Sequence, residues 1–203
     1  DRWSFPADHP FLQNLERFLR PLGLELDCDA FNRMVAHGDI RAKWPEPASF
    51  GQTPFPHQKS GTGFLLQNQG ALLLDEMGLG KTKQAIDSAW RIVQGIYGVA
   101  APANQWSPSR VCVVCPNSLK IPWSEEIQKQ TGLRDDSVIV PSGSTQHRES
   151  ELKRTATIPG SWVILNYEAL RYMEKAFRKF VEGQILITDE MHRLKNGRAT
   201  VTQ

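Results

Sequence analysis

Five short apolar runs constrain this chain more than any other feature: ALLL at 71–74, VCVVC at 111–115, VIV at 138–140, WVIL at 162–165 and ILIT at 185–188. Most are apolar without alternation, and a run of four or five such residues suits a strand covered on both faces. Longer helix-like segments separate them. Strands alternating with helices in this way predict a parallel sheet assembled from βα units. The expected fold class is therefore α/β, a parallel sheet flanked by helices.

The first fifty residues read differently. DHPFLQNLERFL at 8–19 has a proline in its first turn and places Phe11, Leu15, Phe18 and Leu19 at helical spacing. Asp29 is a candidate N-cap for a second short helix that closes at Gly38. WPEPASFGQTPFP at 44–56 is punctuated by proline and reads as a linker. The expected organisation is a small helical accessory segment with its linker over 1–50, then one α/β lobe over 51–203. Two stretches within the lobe, 97–110 and 141–150, read as loops.

Composition excludes some classes of function. No apolar run approaches the roughly 18 residues needed to span a bilayer, and DRWSFPADHP at the start lacks the basic lead-in and apolar stretch of a signal peptide. The expected location is intracellular: cytoplasmic in a prokaryote or virus, nuclear in a eukaryote. The net charge of +2 neither demands nor forbids a nucleic-acid partner. Cys112 and Cys115 spell C-x-x-C, but residues three apart on a strand point to opposite faces. They are expected to be buried thiols and not a metal or redox pair.

The segment ALLLDEMGLGKTKQAI at 71–86 carries the chemistry. A phosphate-binding loop needs a strand that stops abruptly, inward-facing backbone amides and a helix N-terminus facing the anion. Gly78 and Gly80 permit the turn, Lys81 can reach β and γ phosphates, and Thr82 can ligate Mg²⁺. Asp75 stands where the general G-x-x-x-x-G-K-[ST] pattern has glycine. A second acidic station follows about 110 residues later, where ILIT runs into Asp189 and Glu190. At the carboxyl end of a parallel strand these carboxylates are placed to hold a metal and to orient or deprotonate an attacking water.

DEMGLGKT together with DEMHRLKN resembles the Swi2/Snf2 group of superfamily 2 ATPases, in which Asp75 is an expected residue. The resemblance implies a RecA-like first helicase lobe that binds ATP with Mg²⁺. It places Asp75, Glu76, Met77, Gly78, Leu79, Gly80, Lys81 and Thr82 in the phosphate loop, and Lys81, Asp189 and Glu190 in catalysis. Thr82 and Asp189 become the metal ligands. PFPHQKSGTGFL is similar to the family's adenine-reading segment, which makes Gln58 the adenine contact and puts His57 where an aromatic is usual.

VVCPNSLKIPWSEEI and VILNYEALR are similar to segments that run along one strand of duplex DNA in that family. Ser118, Lys120, Trp123, Asn166, Tyr167 and Lys195 are thereby nominated as DNA contacts, and His192 as the link between the ATP and DNA sides. The apolar neighbours Ile121 and Ile127 favour Trp123 as a packing anchor. Met191 replaces the family's small residue. The sequence ends at Gln203, ahead of the family's third motif, so the resemblance implies half of a two-lobed clamp whose second lobe supplies arginines to the site. The expected function is the ATP-binding lobe of a DNA-stimulated ATPase that translocates on double-stranded DNA. Open alternatives are another superfamily 2 helicase acting on RNA or separating strands, and a non-catalytic nucleotide-binding or partner-docking module.

Overall fold

In the computed structural model, the strand Val111–Cys115 (β1) has no exposed residue. A strand buried on both faces needs hydrogen-bonding partners on both edges, because an unpaired buried amide is costly. Trp162–Asn166 (β3) pairs with β1 in parallel on one edge and Ile185–Thr188 (β4) on the other, so Val111 lies opposite both Trp162 and Ile185. The two-residue strand Val138–Ile139 (β2) extends the sheet beyond β3, giving the order β2-β3-β1-β4. The fold class is the expected one. With every pairing parallel, the carboxyl ends of the strands share one edge, and the residues that follow them gather there.

The structure describes residues 52–68, 70–95 and 108–190. The helices expected at 8–19 and 29–38, most of the linker, and residues Met191, His192 and Lys195 lie outside them. The chain divides into two compact units, and the elements described here belong to the unit Arg41–Asp189. Its helices are Pro56–Gln67 (α1), Lys81–Val93 (α2), Lys120–Thr131 (α3), Thr145–Thr155 (α4), Tyr167–Tyr172 (α5) and Glu174–Val181 (α6). None of the described helices is long and apolar enough to cross a membrane.

Alternation along β1 sends Val111, Val113 and Cys115 into one core, where they meet Ile86 and Ala89 of α2, Trp123 and Ile127 of α3, and Trp162 and Ile164 of β3. On the other side α4 packs against β3 and α6, and Leu152, Phe177 and Phe180 are buried there. Burying a side chain of this size contributes about 1.5–3 kcal/mol. The strand ends are therefore set on a rigid base.

Three expectations about elements need correction. ALLL at 71–74 is not a strand: it pairs with no described residue, and Leu74 is 55% exposed. Four apolar residues signal burial, whereas a strand also requires a neighbour to pair with. The run at 138–140 shortens to two paired residues. Residues 141–150 are not all loop, because α4 begins at Thr145, with the Ser144 hydroxyl accepting the His147 N–H at 3.3 Å as an N-cap. TQHRESELKRT buries only Leu152 and Thr155, so it carries too few apolar residues to show a helical period.

A buried ion pair within α2 is linked to α3 by a hydrogen bond. Lys83 Nζ lies 3.2 Å from Asp87 Oδ2 and also reaches Gln130 Oε1 of α3 at 3.5 Å. Burial holds the Asp87 carboxyl above its ordinary range, against the opposing pull of Lys83 and Arg91. A raised carboxyl favours the fold at acid pH and loses that contribution as the pH rises through the raised value. Lys83→Met is expected to cost about 3–5 kcal/mol at neutral pH, the usual cost of leaving one buried charge unpaired. The loss shrinks below about pH 4, where Asp87 is neutral folded or unfolded, and Lys83→Met/Asp87→Leu recovers most of it. Urea unfolding at pH 7 and pH 3.5 checks both effects; a loss equal at the two pH values would remove the charge explanation.

Candidate nucleotide site

The loop before α2 is shaped by backbone conformation first. Gly78 has φ 86° and Gly80, the N-cap of α2, has φ 77°, both in the left-handed region that a Cβ disfavours. Gly80 is further constrained, since a Cβ there would come within 2.3 Å of Gln58 Nε2. The turn ends in the free amides of a 13-residue helix, a place where the helix dipole and unpaired N–H groups favour an anion. Lys81 Nζ arches back over the loop and donates to the carbonyls of Asp75 at 2.8 Å and Glu76 at 3.0 Å. Its ammonium is held over the turn, while Met77 is 92% exposed at the tip. Thr82, in the first turn of α2, is half-buried.

Two buried glutamines tie this loop to its neighbouring helices, Gln58 to α1 and Gln84 to α2. Gln58 is 7% exposed, donates Nε2–H to the Leu79 carbonyl at 3.3 Å and accepts the Phe55 N–H at 3.1 Å. The exposed His57 ring lies beside the same carbonyl at 3.2 Å and stacks on Phe55, with centroids 5.9 Å apart. Gln84, on α2, is fully buried and donates Nε2–H to Asp75 Oδ2 at 2.9 Å. Sequence reasoning passed over Gln84. Gln84 lies on the face of α2 that carries the buried Asp87, Ser88 and Arg91, and an amide there bears no distinctive mark in the sequence. Asp75 thus has a structural use that glycine could not serve: its carboxylate anchors the loop to α2 through a charge-assisted bond.

Asp189 and Glu190 follow β4 at the carboxyl edge, as expected. Asp189 is half-buried and its N–H donates to the Val114 carbonyl at 2.8 Å. Trp123 Nε1–H donates to Asp189 Oδ2 at 2.9 Å, and the Tyr167 hydroxyl donates to the Asp189 carbonyl at 2.5 Å. Glu190 is exposed and has φ 54°, a left-handed backbone that costs a non-glycine residue about 1–3 kcal/mol. Ser118 is exposed in the 3₁₀ turn Asn117–Leu119, Lys120 opens α3 half-buried, and Asn166 precedes α5 with its amide on Glu168 Oε2 at 2.6 Å. Among the described residues nominated for DNA, Trp123 alone is buried, 4% exposed.

The cysteines behave as the strand register requires. Cys112 and Cys115 are free and buried. Burial raises both thiols; Cys115 is pushed up to about 12 by burial and then by the charge of Asp189, with Lys120 acting the other way. Burial thus disfavours the thiolate form that a nucleophile or metal ligand needs.

A parallel-sheet lobe flanked by helices, with a GKT loop at one helix start and an Asp-Glu pair after β4, defines the class, a RecA-like ATP-binding lobe of the helicase kind. The family model of the SNF2-related domain matches residues 24–203, and the chain belongs to that family. Among similar proteins, "DNA repair and recombination protein RAD54-like" of Gallus gallus is 32% identical over 155 residues, covering 70% of this chain and 20% of the relative. The protein of that name from Danio rerio is 34% identical over the same shares. "DNA repair and recombination protein RAD54B" of Homo sapiens is 35% identical over 158 residues, covering 72% of this chain and 16% of the relative. The chain thus spans a fifth or less of the length of these relatives.

Gly61 tests the loop's anchoring. A Cβ on Gly61 would stand 1.7 Å from Gln84 Oε1, so alanine forces the Gln84 amide away from Asp75. Gly→Ala inside a helix ordinarily gains about 1 kcal/mol. Losing a hydrogen bond to a charged group costs about 1.5–3 kcal/mol, so Gly61→Ala is expected to destabilise by about 1 kcal/mol. Urea unfolding of Gly61→Ala measures the sign; a gain in stability would show that Gln84 is not held.

Proposed function

We propose that this chain is the ATP-binding lobe of a DNA-dependent ATPase that translocates on double-stranded DNA. The observation that carries the reading is the Gly80–Lys81 helix start, with its ammonium held over the loop, in the same compact unit as Asp189 at the carboxyl end of β4. Lys81 and the first amides of α2 bind the β and γ phosphates, neutralising charge that grows on the transferring group. Gln58 lies at the base of the loop and reads the adenine edge by exchanging its Leu79 bond for one to the base.

The donors at hand fit Mg²⁺. That ion takes oxygen ligands, keeps several waters and uses one or two protein groups beside the phosphates; the Asp189 carboxylate and the Thr82 hydroxyl are such groups. Held there, the ion would neutralise charge developing on the phosphates. Glu190 orients the attacking water and receives its proton. Exposed Ser118 and half-buried Lys120 and Asn166, on segments that follow β1 and end β3, supply phosphate contacts without base preference. The family resemblance makes Lys195 a further candidate DNA contact and His192 the candidate link between ATP and DNA. A second RecA-like lobe closes on this one when ATP binds and contributes arginines to the reaction. The relatives' names, which refer to DNA repair and recombination, support a DNA substrate.

Binding of a fluorescent ATP analogue to the 203-residue chain is expected to weaken about 10–100-fold in Lys81→Ala, the equivalent of one lost charge-assisted bond. Turnover belongs to the two-lobed protein, where duplex DNA stimulates ATP hydrolysis and Glu190→Gln abolishes it while nucleotide binding persists. Stimulation by RNA equal to that by duplex DNA would overturn the substrate reading. Unchanged nucleotide affinity in Lys81→Ala would overturn the site.

A further inference from the structure

Asp189 is held from three directions, and each hold comes from a segment at the carboxyl edge of the sheet. Val114 of β1 accepts its N–H, Trp123 of α3 donates to its Oδ2, and Tyr167 at the start of α5 donates to its carbonyl. Indole N–H is a donor with no acceptor capacity, so its bond to a carboxylate oxygen is charge-assisted and directional. A carboxylate fixed at one oxygen and at both neighbouring peptide groups has its remaining lone pairs aimed in one direction. The Tyr167 bond also fixes the peptide immediately before Glu190, whose φ of 54° needs such support.

We propose that Trp123 and Tyr167 are positioning residues for the Asp189–Glu190 pair and not contacts to DNA. The inference rests on the reading of Asp189 as the Mg²⁺-holding carboxylate. Burial supports it for Trp123, whose ring lies in the core with Ile127 and Val113. The short segments that carry these donors also carry Ser118, Lys120 and Asn166, which retain solvent exposure. One turn of chain therefore presents polar groups outward and a donor to Asp189 inward.

The test compares the affinity of the chain for a fluorescent ADP analogue in Mg²⁺ and in EDTA, and measures binding of a labelled 30-base-pair duplex alongside. Trp123→Phe keeps an aromatic ring and removes the donor; Tyr167→Phe removes only the hydroxyl of a half-buried side chain and guards against misfolding of the first variant. Loss of partners that orient a metal ligand typically weakens metal affinity about 10–100-fold. Each variant is therefore expected to lose at least about tenfold of the Mg²⁺-dependent gain in nucleotide affinity. Affinity in EDTA and affinity for the duplex should stay within about twofold. Trp123→His, which restores an N–H donor, should recover part of the gain. Weaker duplex binding with an intact Mg²⁺ dependence would overturn the proposal, as would no change in any of the three quantities. Asp189→Asn separates the two levels: if it leaves the Mg²⁺ dependence intact, the reading of Asp189 as metal ligand fails, and the proposal fails with it.

Discussion

The burial of β1 on both faces and its pairing on both edges is the constraint from which the rest of this lobe follows. VCVVC exposes no side chain, so helices must cover the sheet above and below, and β3 and β4 must satisfy its amides and carbonyls. Parallel pairing then follows from the helical connections between strands. Once the strands are parallel, their carboxyl ends lie together. Asp189, the turn after β1 and the start of α5 reach one edge because of hydrogen bonds made several residues earlier.

Polar groups act as fasteners on that edge and around the loop before α2. Asp75 is joined to α2 through Gln84, Leu79 to α1 through Gln58, and Asp189 to α3 and α5 through Trp123 and Tyr167. Each bond links a loop that must be shaped to a helix that is already fixed by core packing. Such bonds are worth little when made in water and considerably more when one partner is charged and half removed from it. Glycine enters the same design by absence: Gly61 leaves room for Gln84, and Gly80 for Gln58.

Much of the architecture was legible because apolar runs and helix-forming segments report burial directly. β1, β3, β4 and α2 stand where their sequence patterns place them. The exceptions have physical causes. Helix α4 is polar on most of its surface and touches the core through Leu152 and Thr155, so its period is invisible in the sequence. ALLL is apolar enough for a strand but has no ladder partner among the described residues, and pairing is a property of two segments. In the site, the glycines, Lys81 and the acidic pair were recognisable from residue type and spacing. Gln84 was not, because an amide has no distinctive chemistry until a partner is beside it.

The sequence alone determined the class of the molecule. Phosphate recognition needs Gly, Lys and Thr in consecutive order on one turn, and a short motif records that order completely. It also determined that the Asp-Glu pair follows a strand. Tertiary structure decided what Asp75, Trp123 and Tyr167 do, since their partners lie 9, 66 and 22 residues away. Spacing along the chain carries no information about such contacts. They exist because folding brings a donor and a carboxylate or carbonyl together where at least one of the two is removed from water, and an unpaired polar group there is costly.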